Sequence, residues 1–441
     1  MSELSDLRFI DTFIPDINGV LRGKRLPAFD LQKLQSSGLQ LPNSVFSTEV
    51  TGITVGLSEL GLEEGDPDYP CRLVPGTLCR SPWEEGVGQA MFTMLDSSGA
   101  EFFADPQTVL SNVLRQYSKQ GLRPVLALEL EFYLTEIDNE TSQPELPHSP
   151  VSGARETNVQ VYGLTEVWDF KAFLNDVANY CEIQGIDASA ASSEYAPGQF
   201  EINLNHTDNV MLACAHAIML KNVVRQTATK HGFCATFMPK PFPDRTGNGC
   251  HIHVSVLDQQ GDNIFQDEDE TGSHSLHQSV AGLLDSMVDC TAIFAPGANS
   301  YRRFVKGGYA PTQLSWGVNN RTVAVRIPMS SPAARRIEHR VAGADVNPWL
   351  LCACVLGGML DGINKQMQPP ARNLGDAYSQ DLPRLPDNWN DALDSFSCSE
   401  FAAQILGEGF VALYHGVKQF EHQQFQRIIT PAEYQWYLRR I

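Results

Sequence analysis

Residues 125–134 read VLALELEFYL, and this run restricts the fold more than any other stretch of the chain. In an extended strand the side chains alternate between faces. Leu126, Leu128, Leu130 and Phe132 therefore point one way, and Glu129 with Glu131 the other. A sheet built on this strand has an apolar face to cover and an acidic face that must stay wet or meet a cation. An edge strand with one solvated face satisfies the pattern; so does a metal site.

The pattern recurs. In 200–205 (FEINLN), Glu201, Asn203 and Asn205 share a face opposite Ile202 and Leu204. In 251–256 (HIHVSV), His251, His253 and Ser255 lie opposite Ile252, Val254 and Val256. Three strands with the same habit favour a shared polar site over three separate wet faces. Carboxylates with an occasional imidazole and no thiolate suit hard cations such as Mg²⁺ or Mn²⁺.

A second feature is basic. Between positions 300 and 340 lie Arg302, Arg303, Lys306, Arg321, Arg326, Arg335, Arg336 and Arg340 against the single acid Glu338, a local charge of +7. The whole chain of 441 residues carries −20, so this stretch stands out. Arginine outnumbers lysine there by seven to one, which favours bidentate recognition of carboxylate or phosphate over a merely solvated face. Metal-binding acids beside an arginine cluster are what phosphoryl transfer requires, because its catalysis is mostly positioning and charge neutralisation. The negative overall charge argues against nucleic acid and anionic membranes as partners.

The ten cysteines are scattered without a Cys-x-x-Cys pair, which predicts reduced, buried thiols. The start MSELSDLRFI, without a basic segment before an apolar run, and the lack of any 18-residue apolar stretch predict a cytoplasmic protein. The first hundred residues, rich in Gly, Pro and short apolar runs, predict a β-rich N-terminal domain over 1–104. Asp105-Pro106 predicts an N-cap and a first helical turn, with Val109, Leu110, Val113, Leu114 and Tyr117 on the buried face of a helix ending near Gln120. Further helices are expected at 169–184, 208–231, 274–294 and 347–367, within a second domain over 105–441. No phosphate loop, dinucleotide fingerprint, serine elbow or His-Glu-x-x-His is present; 19–25 (GVLRGKR) misses the phosphate loop in its glycine spacing.

At these residues the chain resembles the glutamine synthetase family over nearly its whole length. The matching segments are ALELEFYL (127–134), SSEYAPGQFEINL (192–204), FMPKPF (237–242), GNGCHIHVS (247–255), NSYRRF (299–304), NNRTVAVRIP (319–328) and ARRIEHR (334–340). The resemblance implies an α+β fold: a β-grasp-like N-terminal domain, and a catalytic domain with a curved antiparallel sheet flanked by helices. It implies ATP and glutamate entering opposite ends of one funnel, two or three divalent cations between them, and a homo-oligomeric ring, commonly a dodecamer, with sites between subunits. By position, Glu131, Glu194 and Glu201 match the ligands of one cation, and Glu129, His251 and Glu338 those of another. Gly247, Arg303 and Arg340 match glutamate-binding positions. Arg321 matches the residue that stabilises the transferring phosphoryl group, and His253, Ser255, Arg326 and Arg336 match nucleotide contacts.

The sequence departs from the family at the ammonium site. Ammonia-using members carry Gly-Tyr-Glu-Ala-Pro where this chain has GGYAP (307–311), so Tyr309 stands at the glutamate position. The family's N-terminal Phe-Asp-Gly-Ser-Ser is replaced by VFSTEVTG (45–52), with Glu49 the nearest acid and an expected base for the attacking amine. With DINGVLRGKRLP (16–27), GDPDYPCRLVPGTL (65–78) and GYAPTQLSWG (308–317), these changes resemble the γ-glutamylpolyamine synthetases. The resemblance implies ligation of glutamate to putrescine or a longer polyamine, with ammonia or a monoamine as the alternative; a non-catalytic structural or sensing relative is the remote one, and the intact six-ligand set argues against it. The acids Glu59, Glu63, Glu64, Asp66 and Asp68 are a candidate rim for a cationic substrate tail, or simply a solvated loop.

Overall fold

The computed structural model describes residues 4, 6–57, 60 and 65–441, and two sheets carry its architecture. The N-terminal sheet comprises β1 (Phe9–Pro15), β2 (Leu21–Pro27), β3 (Leu39–Pro42), β4 (Asp68–Leu73), β5 (Cys79–Arg80) and β6 (Val87–Met94). Their order is β2-β1-β6-β4-β3, with β5 also beside β6. β1 and β6 run parallel, and the other pairs are antiparallel. Of the acidic rim, Glu59, Glu63 and Glu64 lie outside the described residues, while Asp66 accepts from the Ser44 hydroxyl at 2.9 Å.

Asp105 caps the helix Pro106–Lys119 through the Gln107 N–H at 2.8 Å. Its other oxygen accepts from the Met94 N–H and the Thr93 hydroxyl, both at 2.8 Å. One carboxylate therefore joins the end of β6 to the start of the helix, at the boundary expected between 104 and 105. Gly121 follows that helix at φ +70°, the left-handed conformation that lets the chain turn into the next strand.

That strand is the acidic one, β7 (Arg123–Ile137). Around it stand β8 (Pro144–Glu145), β9 (Ala188–Ser193), β10 (Gln199–Leu204), β11 (Cys234–Thr236), β12 (Cys250–Leu257), β13 (Trp316–Val318), β14 (Val325–Ile327) and β15 (Ile337–His339). The order is β13-β14-β15-β12-β7-β10-β9, with β8 and β11 also on β7. The sheet is mixed where a wholly antiparallel one was expected, because β13 and β14 run parallel. Both are only three residues long, so a short return brings the chain back to the same end.

Leu126, Leu128, Leu130 and Phe132 are at most 1% exposed, and helices Pro106–Lys119 and Val210–Lys230 pack against β7. Covering the apolar face leaves Glu129 and Glu131 on the open one. Helix Pro348–Asn364 is capped by the Asn347 side chain and packs across His274–Ser286. At that crossing a Cβ on Gly282 would stand 2.1 Å from the Gly358 carbonyl oxygen, so only glycine permits the approach.

The helix expected at 169–184 begins earlier as a separate turn, Leu164–Asp169, followed by Lys171–Gln184. The one expected at 274–294 breaks after Ser286 and resumes as Thr291–Phe294. Helices Trp389–Ser397, Glu400–Leu406, Glu408–Gln426 and Pro431–Tyr437 had not been read from the sequence. No helix among the described residues is long and apolar enough to cross a membrane.

Candidate active site

Strand register brings the polar faces together. β10 sets Glu201 opposite Glu131 and Asn203 opposite Glu129. β12 sets His251 opposite Glu129, β15 sets Glu338 opposite His253, and β14 sets Arg326 opposite Glu338. Directly opposed residues share a sheet face, so a staggered row of acids, imidazoles and arginine crosses five strands. The row requires four correct registers between these five strands. A slip of one residue would turn its members into the core.

Side-chain contacts tighten this row. Glu129 meets His253 Nε2 at 2.8 Å and His251 Nδ1 at 3.3 Å. Arg336 Nε donates to His253 Nδ1 at 3.2 Å, which makes Nε2 the protonated nitrogen facing Glu129. His251 likewise presents Nδ1 to Glu129 and leaves Nε2 facing Glu131 Oε1, 3.9 Å away. Two groups, Glu129–His253–Glu338 and Glu129–Glu201–His251, have ligand-type atoms within 4.8 Å of one another. The grouping differs from the one the resemblance implies. Glu131 Oε2 accepts the Gly249 N–H at 2.7 Å, and His253, expected at the nucleotide, stands among the acids. The oxygen-rich donor set fits two hard divalent cations.

A cavity of about 320 Å³ opens over the row. Glu129, Glu131, Glu194, Glu201, His251 and Glu338 line it, as do Gly247, Arg303, Arg321, Arg326, Arg340 and Tyr309. Of the remaining expected residues, His253 and Arg336 stand behind the lining as partners of Glu129 and of each other. Ser255 lies farther along β12, opposite Val125. Glu49 belongs to the N-terminal region, where its carboxylate accepts the Ile53 N–H at 2.8 Å, the Thr51 N–H at 3.0 Å and the Thr51 hydroxyl. Burial raises the Glu49 pKa, but these bonds outweigh it and hold the group below its ordinary value.

Crowded acids divide into two kinds. Burial, then the Glu131 and Arg321 charges in opposite directions, leave Glu194 pushed up to about 8. Burial and the Glu129 and Glu131 charges raise Glu201 to about 9. Glu338 is as buried, yet Arg340, His253, His251 and Arg326 hold it at about 2. Arg326 Nη1 meets it at 2.8 Å, and Arg340 contacts its other oxygen. Glu129 is held well below the carboxylate range because its two histidine bonds outweigh burial.

The arginine cluster also divides. Arg303 is 4% exposed; its Nη1 donates to the Val341 carbonyl at 3.0 Å and its Nε has no partner. Glycines make room for it: a Cβ on Gly249 would stand 3.2 Å from its Nη2 and 3.0 Å from His251 Nε2. Arg335 points elsewhere, donating to the carbonyls of Asp267 and Asp269 at 3.3 and 3.1 Å, and serves loop structure.

Several lining residues were not expected. Gln199 precedes Glu201 by two positions on β10, and its amide donates to Gly247 O at 3.0 Å and Asn248 Oδ1 at 3.1 Å. The alternation that exposed Glu201 reaches it if extended by one step. Val161, Tyr162 and Tyr195 come from loops with no periodicity to read. Tyr162, Tyr195 and Tyr309 are each at least 40% exposed at the cavity rim, and the rings of Tyr195 and Tyr309 lie 6.1 Å apart. Tyr162 and Tyr309 adopt positive φ (54° and 55°), a conformation that non-glycine residues seldom take outside functional loops.

The family described as "Glutamine synthetase, catalytic domain" matches residues 103–437. γ-Glutamylputrescine synthetase PuuA of Escherichia coli K12 is 41% identical over 436 residues, 98% of this chain and 92% of that one. Glutamate–isopropylamine ligase of a Pseudomonas species is 32% identical over 434 residues, covering 96% and 93%. Among solved structures, a GmaS/ADP complex superposes with a TM-score of 0.86 at 27% identity, covering 99% of this chain and 98% of that one. With the acidic row, the arginines and the matched catalytic domain in agreement, the chain belongs to the glutamine synthetase family of ATP-dependent carbon–nitrogen ligases.

Proposed function

We propose that this ligase joins the γ-carboxylate of glutamate to an amino group of a polyamine, putrescine or longer. The carrying observation is Tyr309 at the cavity rim with Tyr195 and Tyr162. Ammonia-using members place a carboxylate at the Tyr309 position; an aromatic rim instead offers an apolar and π-faced wall to an alkylammonium chain. The 41% identity to a γ-glutamylputrescine synthetase supports the same reading.

In the reaction, a γ-carboxylate oxygen of glutamate attacks the γ-phosphorus of ATP, giving γ-glutamyl phosphate and ADP. The amine nitrogen then attacks the carbonyl carbon. The C–O bond to phosphate breaks, phosphate leaves with that electron pair, and the nitrogen loses a proton. Arg303, buried beside Gly247 and Gly249, holds the glutamate α-carboxylate, and Arg340, lining the same cavity, is the second residue for it. Arg321 enters the cavity from an exposed turn and meets the charge of the transferring phosphoryl group; Arg326 supports the nucleotide phosphates. Mg²⁺ or Mn²⁺ held by Glu129, Glu131, Glu194, Glu201, His251 and Glu338 would neutralise phosphoryl charge. His253 and Arg336 orient Glu129 for that task. Glu49 of a neighbouring subunit remains the candidate base only in a ring assembly, since in its own chain it does not line the cavity. Such a homo-oligomeric ring, commonly a dodecamer, in the cytoplasm is part of the proposal.

ADP release with glutamate, Mg²⁺ and a panel of ammonium, ethylamine, isopropylamine, putrescine, cadaverine, spermidine and spermine tests the amine. Putrescine or a longer polyamine should support turnover at millimolar concentration or below, with ammonium giving little. Tyr309→Glu should weaken polyamine use and leave ATP binding intact. Equal efficiency with ammonium would transfer the assignment to glutamine synthesis; equal efficiency with ethylamine would transfer it to a monoamine ligase.

A further inference from the structure

We infer that Glu166 is a positioning residue, clamping both ends of the loop 193–198 so that Glu194 and Tyr195 stand at the cavity. The inference rests on the reading of that cavity given above. Glu166 lies on the short helix Leu164–Asp169, is 6% exposed and does not line the cavity. One of its carboxylate oxygens accepts from the Ser193 hydroxyl at 2.7 Å, the other from the Gly198 N–H at 2.5 Å. Only Glu194, Tyr195, Ala196 and Pro197 lie between these anchors.

The rest of the loop has its own ties. Glu194 donates its N–H to Gln199 O at 2.8 Å; Gln160 and Tyr162 donate theirs to Tyr195 O at 3.2 Å and Ser193 O at 3.1 Å. Residues 160–166 therefore back the loop along its length, and Tyr162 enters the cavity from the same backing strip. Glu166 adds a side-chain tie at Ser193, beside the Tyr162 backbone bond, and a second at Gly198.

No cation is needed to explain the contacts of this carboxylate. Burial raises its pKa, with Glu156 and Asp169 adding to the rise, while the bonds from Gly198 and Ser193 oppose it. An apolar side chain would fill the space without desolvating a carboxyl. What this polar side chain supplies, and an apolar one would not, is an acceptor for the Gly198 N–H and a partner for the Ser193 hydroxyl, which also reaches the Gln160 carbonyl at 3.3 Å.

The test compares wild type with Glu166→Ala and Glu166→Gln, by electron paramagnetic titration of Mn²⁺ and by KM values for putrescine and ATP. Glu166→Ala should weaken Mn²⁺ binding roughly tenfold and raise the putrescine KM by a similar factor, the range found for residues behind metal ligands, with the ATP KM within about twofold. In Glu166→Gln the amide oxygen can accept from Gly198 and the amide nitrogen can donate to Ser193 Oγ, so both quantities should return to within about threefold. A merely structural role would lower the melting temperature and the active fraction without moving either midpoint. Unchanged Mn²⁺ affinity and amine KM in Glu166→Ala, or a Glu166→Gln as impaired as Glu166→Ala, overturns the inference. Should Glu166→Ala not fold, Ser193→Ala removes one anchor alone and must weaken Mn²⁺ binding for the inference to stand. A wild type that couples no amine, with Mn²⁺ binding still lost in Glu166→Ala, would sink the ligase reading and leave Glu166 in its place.

Discussion

Arg303 illustrates what one side chain carries at this site. It is buried, it faces Glu131 and Asp345, and burial lowers its pKa while those two charges oppose the fall. A buried guanidinium held by a single carbonyl has donors left for a ligand carboxylate. Arg303→Ala should raise the glutamate KM roughly 10- to 100-fold, from the loss of about 1.5–3 kcal/mol, and leave the ATP KM nearly unchanged. Steady-state kinetics with each substrate varied in turn checks this; equal rises would assign the residue to the nucleotide instead. At this scale the sequence was readable wherever alternation or a family segment marked a residue: Glu129, Glu131, Glu201 and His251 all line the cavity. Glu166 and Tyr162 were not readable. The first acts through hydrogen bonds to a loop distant in sequence, and the second sits on a loop whose left-handed backbone no pattern announces.

At the scale of elements, the crossing of His274–Ser286 over Pro348–Asn364 sets how closely the helical layer can close. Gly282, Gly358 and Gly362 bring the two backbones into contact, and a Cβ on Gly362 would stand 2.0 Å from Gln278 O. Gly282→Val should therefore separate the helices and cost at least about 2–3 kcal/mol, the upper range for overpacking. A chemical-denaturation midpoint for Gly282→Val equal to wild type would refute the close crossing. The capped start of Pro106–Lys119 followed from Asp105, because capping is local chemistry, whereas Asn347, the cap of Pro348–Asn364, had been placed inside the expected helix. The break after Ser286 did not follow. Residues 287–290 carry no Gly or Pro to announce it.

For the whole molecule, charge crowding links cation binding to protons. At pH 7 the raised carboxyls of Glu194, at about 8, and Glu201, at about 9, hold protons in the cation-free protein. Ligation needs them ionised, so cation binding at pH 7 should release up to about two protons per site, fewer at pH 9. Both folded values exceed the unfolded 4.5, so the folded state binds more protons in between. Cation-free stability should accordingly fall as pH rises through 5–9, while the gain in melting temperature on adding Mg²⁺ grows. Titration calorimetry of Mn²⁺ in buffers of different ionisation enthalpy measures the protons; no release at pH 7 would refute the crowding.

Assembly is a second property at this scale. Phe425, Ile428, Ile429, Tyr434, Trp436, Tyr437, Leu438 and Ile441 leave an exposed apolar segment at the end of the described chain. Surface of this kind is commonly covered in an assembly. If a second copy covers it, removing residues 428–441 should reduce the oligomer seen by light scattering and leave the subunit folded; an unchanged mass would exclude the segment from assembly. The sequence by itself determined which faces are apolar, where the acidic strands run and which family the chain joins, because side-chain alternation and ordered motifs are written locally. Tertiary structure alone decided the five-strand register that makes separate acids one site, the sorting of arginines into cavity-lining and loop-holding, and the aromatic rim. Each of these depends on distances between residues that the chain separates by tens to hundreds of positions.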